Sequence, residues 1–371
     1  MYELNFSSVQ SSNEVKLKPE EVRKVILVID LKNFGIGDSV VAFGKLRALQ
    51  SFLYNARIEV YTNKFHYAIL KNNPCVEDIH LDDDDLSYDV YDLILLFSDK
   101  EEDYKEYFQQ KAGDNMSRVL SLYGYSEVFP TYIDFLAYSE SDDFQENHKQ
   151  FKQEMYISEE EKAESDKWFR EAGVADHEKV VVFLDTSSGK EKILPTTVLI
   201  EMVKYFKAFP NTKVLIFDER NSGKEEFYKE YLQADFTDDI MFCTNPSLRK
   251  NINLLSSDFV KVIFGPCTGL LHCAAGAYEI FKYTGRGFED IPVMIAYFGT
   301  AVAGFETNEW DWWGHSLVDA IYNTMGMSGQ KEIKKLEGYH YDCLRCSEFE
   351  TDMLTNYLEK HYGERFKALN L

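Results

Sequence analysis

The sequence predicts an α/β protein built from two doubly wound domains, each a parallel sheet with helices on both faces. Two observations predict this. Short apolar runs alternate with longer amphipathic stretches, first over residues 25–97 and again over residues 180–298. Such runs are typical of strands buried on both faces, and repeated strand–helix order indicates parallel sheets. The chain of 371 residues is also too long for a single core.

The elements of each series can be placed from these patterns. Strands of the first series are predicted at residues 25–29, 58–61, 76–81 and 92–97. Strands of the second series are predicted at residues 180–184, 213–217, 240–243, 260–264 and 293–298. Helical patterns lie between them, and a charge-rich stretch over residues 139–179 connects the two series. We therefore expect an N-terminal domain at 1–165, a second domain at 166–345, and a C-terminal amphipathic helix at 346–371 packing back on the protein.

The charge and composition exclude some classes of function. The chain has 40 Lys and Arg against 63 Asp and Glu, a net charge of −23. Such a chain repels nucleic acid and anionic lipid at long range, although a helix N-terminus still binds a small anion. No apolar run approaches the ~20 residues of a membrane-spanning helix, and the start lacks the apolar core of a secretory signal. The scattered cysteines favour a reduced, cytoplasmic protein.

The first candidate site is the turn that contains Gly35, Gly37 and Asp38 after the first strand. Glycines there allow a tight turn and close approach of a ligand to the backbone. The full dinucleotide fingerprint needs another glycine where Val40 stands, so NAD binding is not supported. Asp38 could be a general base for an acceptor hydroxyl, or it could cap the following helix.

The second candidate site runs from Cys267 to His272, between a strand and an alanine-rich helix. Unpaired backbone N–H groups and the helix dipole favour an anion at such a place. Thr268 and His272 add donors, and Gly269 leaves room for a phosphate. The alternative is an ordinary strand-to-helix turn with a histidine in the core.

The third candidate site covers residues 187–195 and includes Ser188 and Lys192. It follows the first strand of the second series, where ligands bind in open α/β sheets. The spacing is not that of a Walker A loop. Lys192 could neutralise the charge of a leaving group, and the alternative is a solvated loop.

Two further patterns raise the question of a metal. Cys343 and Cys346 have the Cys-x2-Cys spacing of a metal site, but His340 or a distant cysteine would have to complete the ligand set. Buried free thiols are the favoured interpretation. The acidic run at residues 82–85 is interpreted as a solvated loop.

Taken together, these motifs resemble family 9 of the glycosyltransferases, the ADP-heptose:lipopolysaccharide heptosyltransferases. The likeness spans about residues 24–310 in the family's order. The matching residues are Gly37-Asp38, Asn73-Pro74, Tyr91-Asp92, Lys192-Ile193-Leu194-Pro195, Thr268-Gly269-Leu270-Leu271-His272-Cys273-Ala274 and Phe298-Gly299. Leu194 stands where the family has tryptophan.

The resemblance implies a GT-B architecture, with two Rossmann-like domains facing a cleft. It implies an inverting, metal-independent transfer of a heptose or hexose from a nucleotide diphosphate donor to a glycan or lipopolysaccharide-type acceptor, without a cofactor. Asp38 is similar to the family's base, and Gly35 and Gly37 to its acceptor-side turn. The residues implied for the donor are Lys192, Ser188, Cys267, Thr268, Gly269, His272 and, at the ribose, Glu225. A bacterial, cytoplasmic protein with at most peripheral membrane contact is expected.

The sequence departs from the family at two places. Cys267 replaces an aspartate that helps to hold the donor sugar, and residues 280–291 insert a loop. Arg286 of this loop could reach the donor, or the loop could shape the acceptor site. Two alternatives therefore stay open. One is a nucleotide-sugar epimerase or hydrolase of the same fold, and the other is a non-catalytic protein that binds a sugar nucleotide.

Overall fold

The structure is a computed structural model. It describes residues 4–5, 16–17, 19–31, 34–44, 46–82, 85–98, 102–111, 119–122, 153–299, 316–336 and 343–369. The chain divides into two compact units, Met1–Tyr156 and Ile157–Leu371. The division lies before the boundary expected at residue 165, because Ile157 packs against the core of the second unit and Glu161 forms an ion pair there with Arg249.

The first unit contains a five-stranded parallel sheet. Its strands are β3 (Lys24–Asp30), β4 (Arg57–Thr62), β5 (Asp78–Leu81), β6 (Leu93–Ser98) and β7 (Val119–Ser121). They lie in the order β5-β4-β3-β6-β7. A short antiparallel pair, β1 (Leu4–Asn5) and β2 (Lys16–Leu17), precedes the sheet.

Four helices of the first unit are described. They are α1 (Ile36–Phe43), α2 (Leu46–Phe52), α3 (Lys64–Leu70) and α4 (Glu102–Lys111). The start of α3 is capped by Asn63, whose side-chain oxygen accepts hydrogen bonds from the N–H groups of Phe65 and His66 at 2.9 and 3.0 Å. Phe108 of α4 joins the same buried cluster as Ile26 of the central strand, so the helix covers one face of the sheet.

The second unit contains a seven-stranded sheet. Its strands are β8 (Lys179–Phe183), β9 (Thr212–Asp218), β10 (Ile240–Thr244), β11 (Val260–Pro266), β12 (Val293–Phe298), β13 (Val318–Met325) and β14 (Lys331–Lys335). The order is β10-β9-β8-β11-β12-β13-β14, and every neighbouring pair is parallel except β13 with β14. In both sheets the first long strand lies in the interior and the chain then winds in both directions, as in doubly wound folds.

Helices cover both faces of this second sheet. They are α5 (Glu159–Glu171), α6 (Thr196–Lys207), α7 (Lys224–Leu232), α8 (Leu248–Leu255), α9 (Gly269–Tyr283) and α10 (Thr351–Ala368). Alternate residues of β8 serve the two faces: Val180 and Val182 join the core under α8 and α9, whereas Val181 and Phe183 join the core under α6 and α10. This explains why the strand reads as a continuous apolar run.

The doubly wound α/β fold predicted from the sequence is confirmed in both units. The strands β13 and β14 were not predicted. In β14 four of the five residues are charged, which suits an edge strand but gives no apolar pattern. The C-terminal helix α10 packs within the second unit, where Leu354, Leu358 and Phe366 join the core beside α6.

Among the described residues, no helix has both the length and the apolar content that crossing a membrane requires.

Candidate functional site

The order of strands in the second sheet marks one place for a ligand. The chain winds from β8 to one side through β9 and β10, then returns to place β11 on the other side of β8. The loops that leave the carboxyl ends of β8 and β11 therefore diverge and open a crevice, which is where open α/β sheets bind ligands. The second and third candidate sites from the sequence lie on these two loops.

The loop after β11 leads directly into the buried helix α9. Thr268 has an extended backbone and precedes the first helical residue, Gly269, and its side chain does not cap the helix. The N–H groups of Leu271 and His272 donate to the carbonyl of Thr268, at 3.1 and 3.3 Å. The preceding N–H groups, of Gly269 and Leu270, have no acceptor among the described residues. They point from the positive end of a 15-residue helix and are suited to an anion.

A glycine before this loop allows the two central strands to lie close together. A Cβ atom at Gly265 would lie 2.5 Å from Cβ of Leu184 and 2.8 Å from its carbonyl oxygen. Both contacts are much shorter than van der Waals distance. The loop after β11 can approach the loop after β8 because residue 265 has no side chain.

Hydrogen bonds join the second and third candidate sites. The Ser187 hydroxyl donates to the carbonyl of Cys267 at 3.1 Å. Lys192 lies on a 3-10 turn, and its ammonium donates to the Ser188 hydroxyl at 3.4 Å. The structure thus brings Ser188, Lys192 and the Cys267–His272 loop to one edge of one sheet, as the sequence pattern suggested.

His272 is neutral at physiological pH. Its ring is buried, and burial together with the nearby Lys192 ammonium lowers its pKa to about 3. A neutral imidazole adds no second positive charge beside Lys192 and can still donate one hydrogen bond and accept another. The positive charge of this site is therefore supplied by Lys192 and the helix terminus.

Cys267 is a buried residue of this loop. Its N–H donates to the carbonyl of Tyr297 at 3.1 Å, and its side chain joins the core beneath α9. The thiol therefore belongs to the packing of the loop and brings no carboxylate to the crevice.

Two residues beside the crevice were missed in the sequence. Asp185 follows β8, and its carboxylate receives the Lys224 ammonium at 2.5 Å and the Tyr228 hydroxyl at 3.0 Å. Asp218, the last residue of β9, accepts from Ser222 and from backbone N–H groups at the start of α7. Their position at the carboxyl ends of predicted strands was the available signal.

Glu225 lies on the first turn of α7 with a half-exposed side chain. Its carboxylate is 2.5 Å from the ammonium of Lys229, one turn further along the helix. The helix follows β9 and so starts at the carboxyl edge of the sheet. The ribose contact suggested for Glu225 stays a prediction.

In the first unit, Asp38 lies on the first turn of α1. Its Oδ2 accepts a hydrogen bond from the N–H of Gly35 at 3.0 Å, so Gly35 is the N-cap residue of α1 and Asp38 closes a capping box from the third helical position. The sequence expectation that Asp38 itself is the N-cap is wrong by three residues. Its Oδ1 has no partner among the described residues, and the side chain is exposed. Gly37 lies within the same turn, so the three predicted residues are together, and the base role stays a prediction.

The inserted loop lies at the other edge of the second sheet. It follows α9 and precedes β12, so it is at the amino ends of the strands, and Arg286 there pairs with Asp258 at 3.0 Å. The hypothesis that Arg286 reaches a ligand in the crevice of this unit is therefore wrong.

Cys343 and Cys346 are free thiols and both are buried. Burial raises the pKa of Cys346 to about 12, with smaller contributions from Cys267 and Cys343 nearby. Within the described part of the chain, no group of three or more His, Cys, Asp and Glu side chains is placed to hold a metal ion. His340 and the middle of the acidic run, residues 83–84, lie outside the described residues.

Comparisons of the whole chain place its fold among known structures. No family model matches the sequence, and no curated protein matches it. The structure is similar to the ADP-heptose LPS heptosyltransferase II of E. coli, with a TM-score of 0.59 and 15% identity over 94% of this chain and 98% of that one. It is also similar to a glycosyl transferase family 9 structure from Veillonella parvula, with a TM-score of 0.56 and 12% identity over 80% and 84% of the two chains. These likenesses confirm the heptosyltransferase-like GT-B fold expected from the motifs.

Proposed function

We propose that the protein is a glycosyltransferase that uses a nucleotide diphosphate sugar. The observation that carries this proposal is the anion site at the switch point between β8 and β11, where the start of α9 and the Lys192 ammonium converge. A diphosphate supplies the negative charge that these groups complement. The fold shared with a heptosyltransferase and a family 9 glycosyl transferase supports a sugar nucleotide over other phosphate compounds.

The proposed reaction is an inverting transfer without a metal. The Asp38 carboxylate takes the proton of an acceptor hydroxyl, whose oxygen forms a bond to the anomeric carbon. The bond from that carbon to the phosphate oxygen breaks, and the nucleoside diphosphate leaves with the electron pair. Lys192 and the N–H groups of Gly269 and Leu270 stabilise the charge that develops on the leaving group.

The sugar and the acceptor follow from the resemblance alone. A heptose or hexose is proposed as the transferred group, and a glycan or lipid-linked glycan as the acceptor. Cys267 leaves the loop without the family's carboxylate, so we propose that other residues select the sugar. A cytoplasmic location, with acceptors reached at most through peripheral membrane contact, belongs to the same proposal.

The experiment that tests the proposal combines binding with turnover. The full chain is titrated with ADP, UDP, GDP and CDP, and the rise in Tm is measured, since a ligand that binds the native state raises it. The matching sugar nucleotides are then incubated with and without glycan acceptors. Transfer to an acceptor supports the proposal. Donor consumption that needs no acceptor would identify an epimerase or hydrolase, and tight binding without turnover would identify a non-catalytic protein.

A further inference from the structure

One exposed arginine, Arg345, lies at the carboxyl edge of the second sheet on a segment between two buried cysteines. The cysteines are Cys343 and Cys346, and the segment lies outside residues 24–310, over which the chain resembles family 9. Within the described part of the chain, the Arg345 guanidinium has no ion-pair or hydrogen-bond partner. Its charge is therefore available to a ligand.

Two close contacts fix the backbone of this segment on the sheet. A Cβ atom at Gly299, directly after β12, would lie 2.5 Å from the backbone N of Cys346 and 3.0 Å from the carbonyl carbon of Arg345. Only glycine leaves room there. The N–H of Leu344 donates to the carbonyl of Asn323 in β13 at 2.7 Å. The segment is thus held against the carboxyl ends of β12 and β13.

The anion site lies at the same edge, one strand away. Pro266 and Tyr297 are paired on the parallel neighbours β11 and β12, so Thr268 and Gly299, each two residues further on, leave the sheet side by side. Neighbouring strands are ~5 Å apart, and Thr268 is the N-cap residue of α9. An arginine that lies against Gly299 is therefore within side-chain reach of the helix terminus.

The segment also lies beside the turn that carries Lys192. The 3-10 turn Cys346–Glu348 begins directly after Arg345 and lies against the 3-10 turn Lys190–Lys192. Burial raises the pKa of the Cys346 thiol, and Lys192 is near enough to oppose that rise. Arg345 and Lys192 are therefore two cations on neighbouring turns beside one crevice.

The charge of a diphosphate exceeds what the crevice supplies without this arginine. A sugar-linked diphosphate carries about two negative charges, and a further one develops as its bond to the sugar breaks. Lys192 supplies one positive charge and the terminus of α9 about half of one, whereas His272 is neutral. Glu191 has the opposite sign, and no ion pair joins it to Arg345 or Lys192 among the described residues. A guanidinium would supply the missing charge, with paired N–H groups that match phosphate oxygens.

The strand order indicates which phosphate lies nearest to Arg345. Along the carboxyl edge, β9 is followed by β8, β11 and β12. With the ribose at Glu225, at the start of the helix after β9, the donor extends along this edge toward β12. The phosphate nearest to Arg345 is then the one bonded to the sugar.

We propose that the Arg345 guanidinium binds the sugar-linked phosphate of the donor, as a second cation for the leaving group beside Lys192. This inference rests on the proposed function and adds a residue to it. The Cys-x2-Cys spacing then has a structural reason, since a buried thiol on each side anchors the segment that presents Arg345.

The experiment compares a nucleoside diphosphate with its monophosphate by titration calorimetry of the full chain. Of ADP, UDP, GDP and CDP, the one that binds the unchanged protein most tightly is used, together with its own monophosphate. In Arg345→Ala the Kd of the diphosphate should rise about tenfold, because one charge-assisted contact is lost, and the Kd of the monophosphate should stay within about twofold. Arg345→Lys should recover part of the affinity, since it keeps the charge without the paired N–H groups.

Arg170→Ala is the matched control. Arg170 is an exposed arginine of the same unit that pairs with Asp176 at 3.1 Å. It lies near the end of α5, which leads into the amino end of β8, so it is at the opposite edge of the sheet. The variant loses the same charge as Arg345→Ala, and both of its Kd values should equal those of the unchanged protein.

The outcomes separate this inference from the proposed function. An unchanged Kd of the diphosphate in Arg345→Ala overturns the role of Arg345 and leaves the proposed function intact. Equal losses for the monophosphate and the diphosphate, or an equal loss in Arg170→Ala, overturn the assignment to the sugar-linked phosphate. If none of the four diphosphates binds the unchanged protein, the proposed function fails and this inference fails with it.

Discussion

The hydroxyl of Ser187 donates a 3.1 Å hydrogen bond to the carbonyl of Cys267, and so links the loops that follow the two central strands of the second sheet. The two residues are 80 positions apart in sequence. Because Cys267 directly precedes the N-cap residue of α9, this bond helps to set where the helix terminus lies relative to Lys192. The contribution of this hydrogen bond to the position of the anion site can be tested by substituting Ser187.

Ser187→Ala should weaken nucleotide binding. Loss of one neutral hydrogen bond costs about 1 kcal/mol, so the Kd for ADP, measured by titration calorimetry, should rise about fivefold. Ser165→Ala is the matched control, because the Ser165 hydroxyl also donates to a carbonyl, that of Glu161, on α5. That variant should lose similar stability and keep its affinity. An equal loss of affinity in both variants would refute a local role for Ser187.

Gly265→Ala should destabilise the second unit. The new Cβ would lie 2.5 Å from Leu184 and would force apart the strands β8 and β11, a loss of about 1–3 kcal/mol in urea unfolding. Gly363→Ala is a control of opposite sign. At Gly363 in α10 the new Cβ would meet only the flexible end of Glu359, at 3.2 Å, and alanine favours the helix by about 0.5–1 kcal/mol. A neutral Gly265→Ala would show that the close approach of the strands is not required.

The fold was predictable because its strands are buried on both faces. Val180 and Val181 pack into different cores, which leaves no polar position from Val180 to Phe183 and makes the strand visible in sequence. The strand β14 was not predictable for the opposite reason, since Ile333 is its only apolar residue. Its pairing with β13 depends on backbone hydrogen bonds that no side-chain pattern records.

The anion site was predictable only in part. Glycine at position 269 after a strand indicates a helix start, and local sequence carries that information. The partnership of Asp185 with Lys224 joins residues 39 positions apart, and the strand order that brings them together is not written in either segment. Likewise, the sequence left Asp38 as either a cap or a base, and only coordinates show that one of its oxygens caps α1.

Asp38→Asn should distinguish the capping role of Asp38 from its proposed role as a base. The amide oxygen of asparagine can still accept from the N–H of Gly35, so stability should change little, whereas the proton acceptor is lost. If the proposed function holds, kcat falls at least 100-fold and the Kd for ADP is unchanged. Asp38→Ala should lose both the cap, about 1 kcal/mol, and turnover. Undiminished turnover in Asp38→Asn would remove the residue from the mechanism.

Lys224→Met should destabilise the second unit, because it breaks a buried ion pair beside the crevice. The Asp185 side chain is 9% exposed, and without the ammonium its charge would keep only the Tyr228 hydroxyl as a described partner. Breaking such a pair costs about 3 kcal/mol, measured by urea unfolding, and adding Asp185→Asn should recover part of it. Lys229→Met removes a comparable but exposed pair with Glu225 and should have no measurable effect. Additive losses in the double variant would contradict coupling of Asp185 and Lys224.

His272 should make stability depend on pH in a defined window. Its pKa is about 3 in the folded protein, against an ordinary value of 6.5, because burial and Lys192 disfavour the imidazolium. Between these values the unfolded chain binds a proton that the folded protein does not, so stability is complete above pH 6.5 and falls as the pH is lowered toward 3. From pH 7 to pH 5 the free energy of unfolding should fall by about 2 kcal/mol from this group alone.

The variant His272→Gln isolates this contribution. Glutamine does not titrate, so the difference in unfolding free energy between pH 7 and pH 5, from urea titrations, should shrink by about 2 kcal/mol relative to the unchanged protein. Tyr278→Phe is the control, because it removes a buried polar group of the same helix whose pKa burial raises above its ordinary value of 10, so the difference between pH 7 and pH 5 should stay as it was. If the proposed diphosphate site is correct, ADP affinity also falls in His272→Gln, since the imidazole near Lys192 is lost. An unchanged pH dependence in His272→Gln would mean that the imidazole is protonated equally in the folded and unfolded chains.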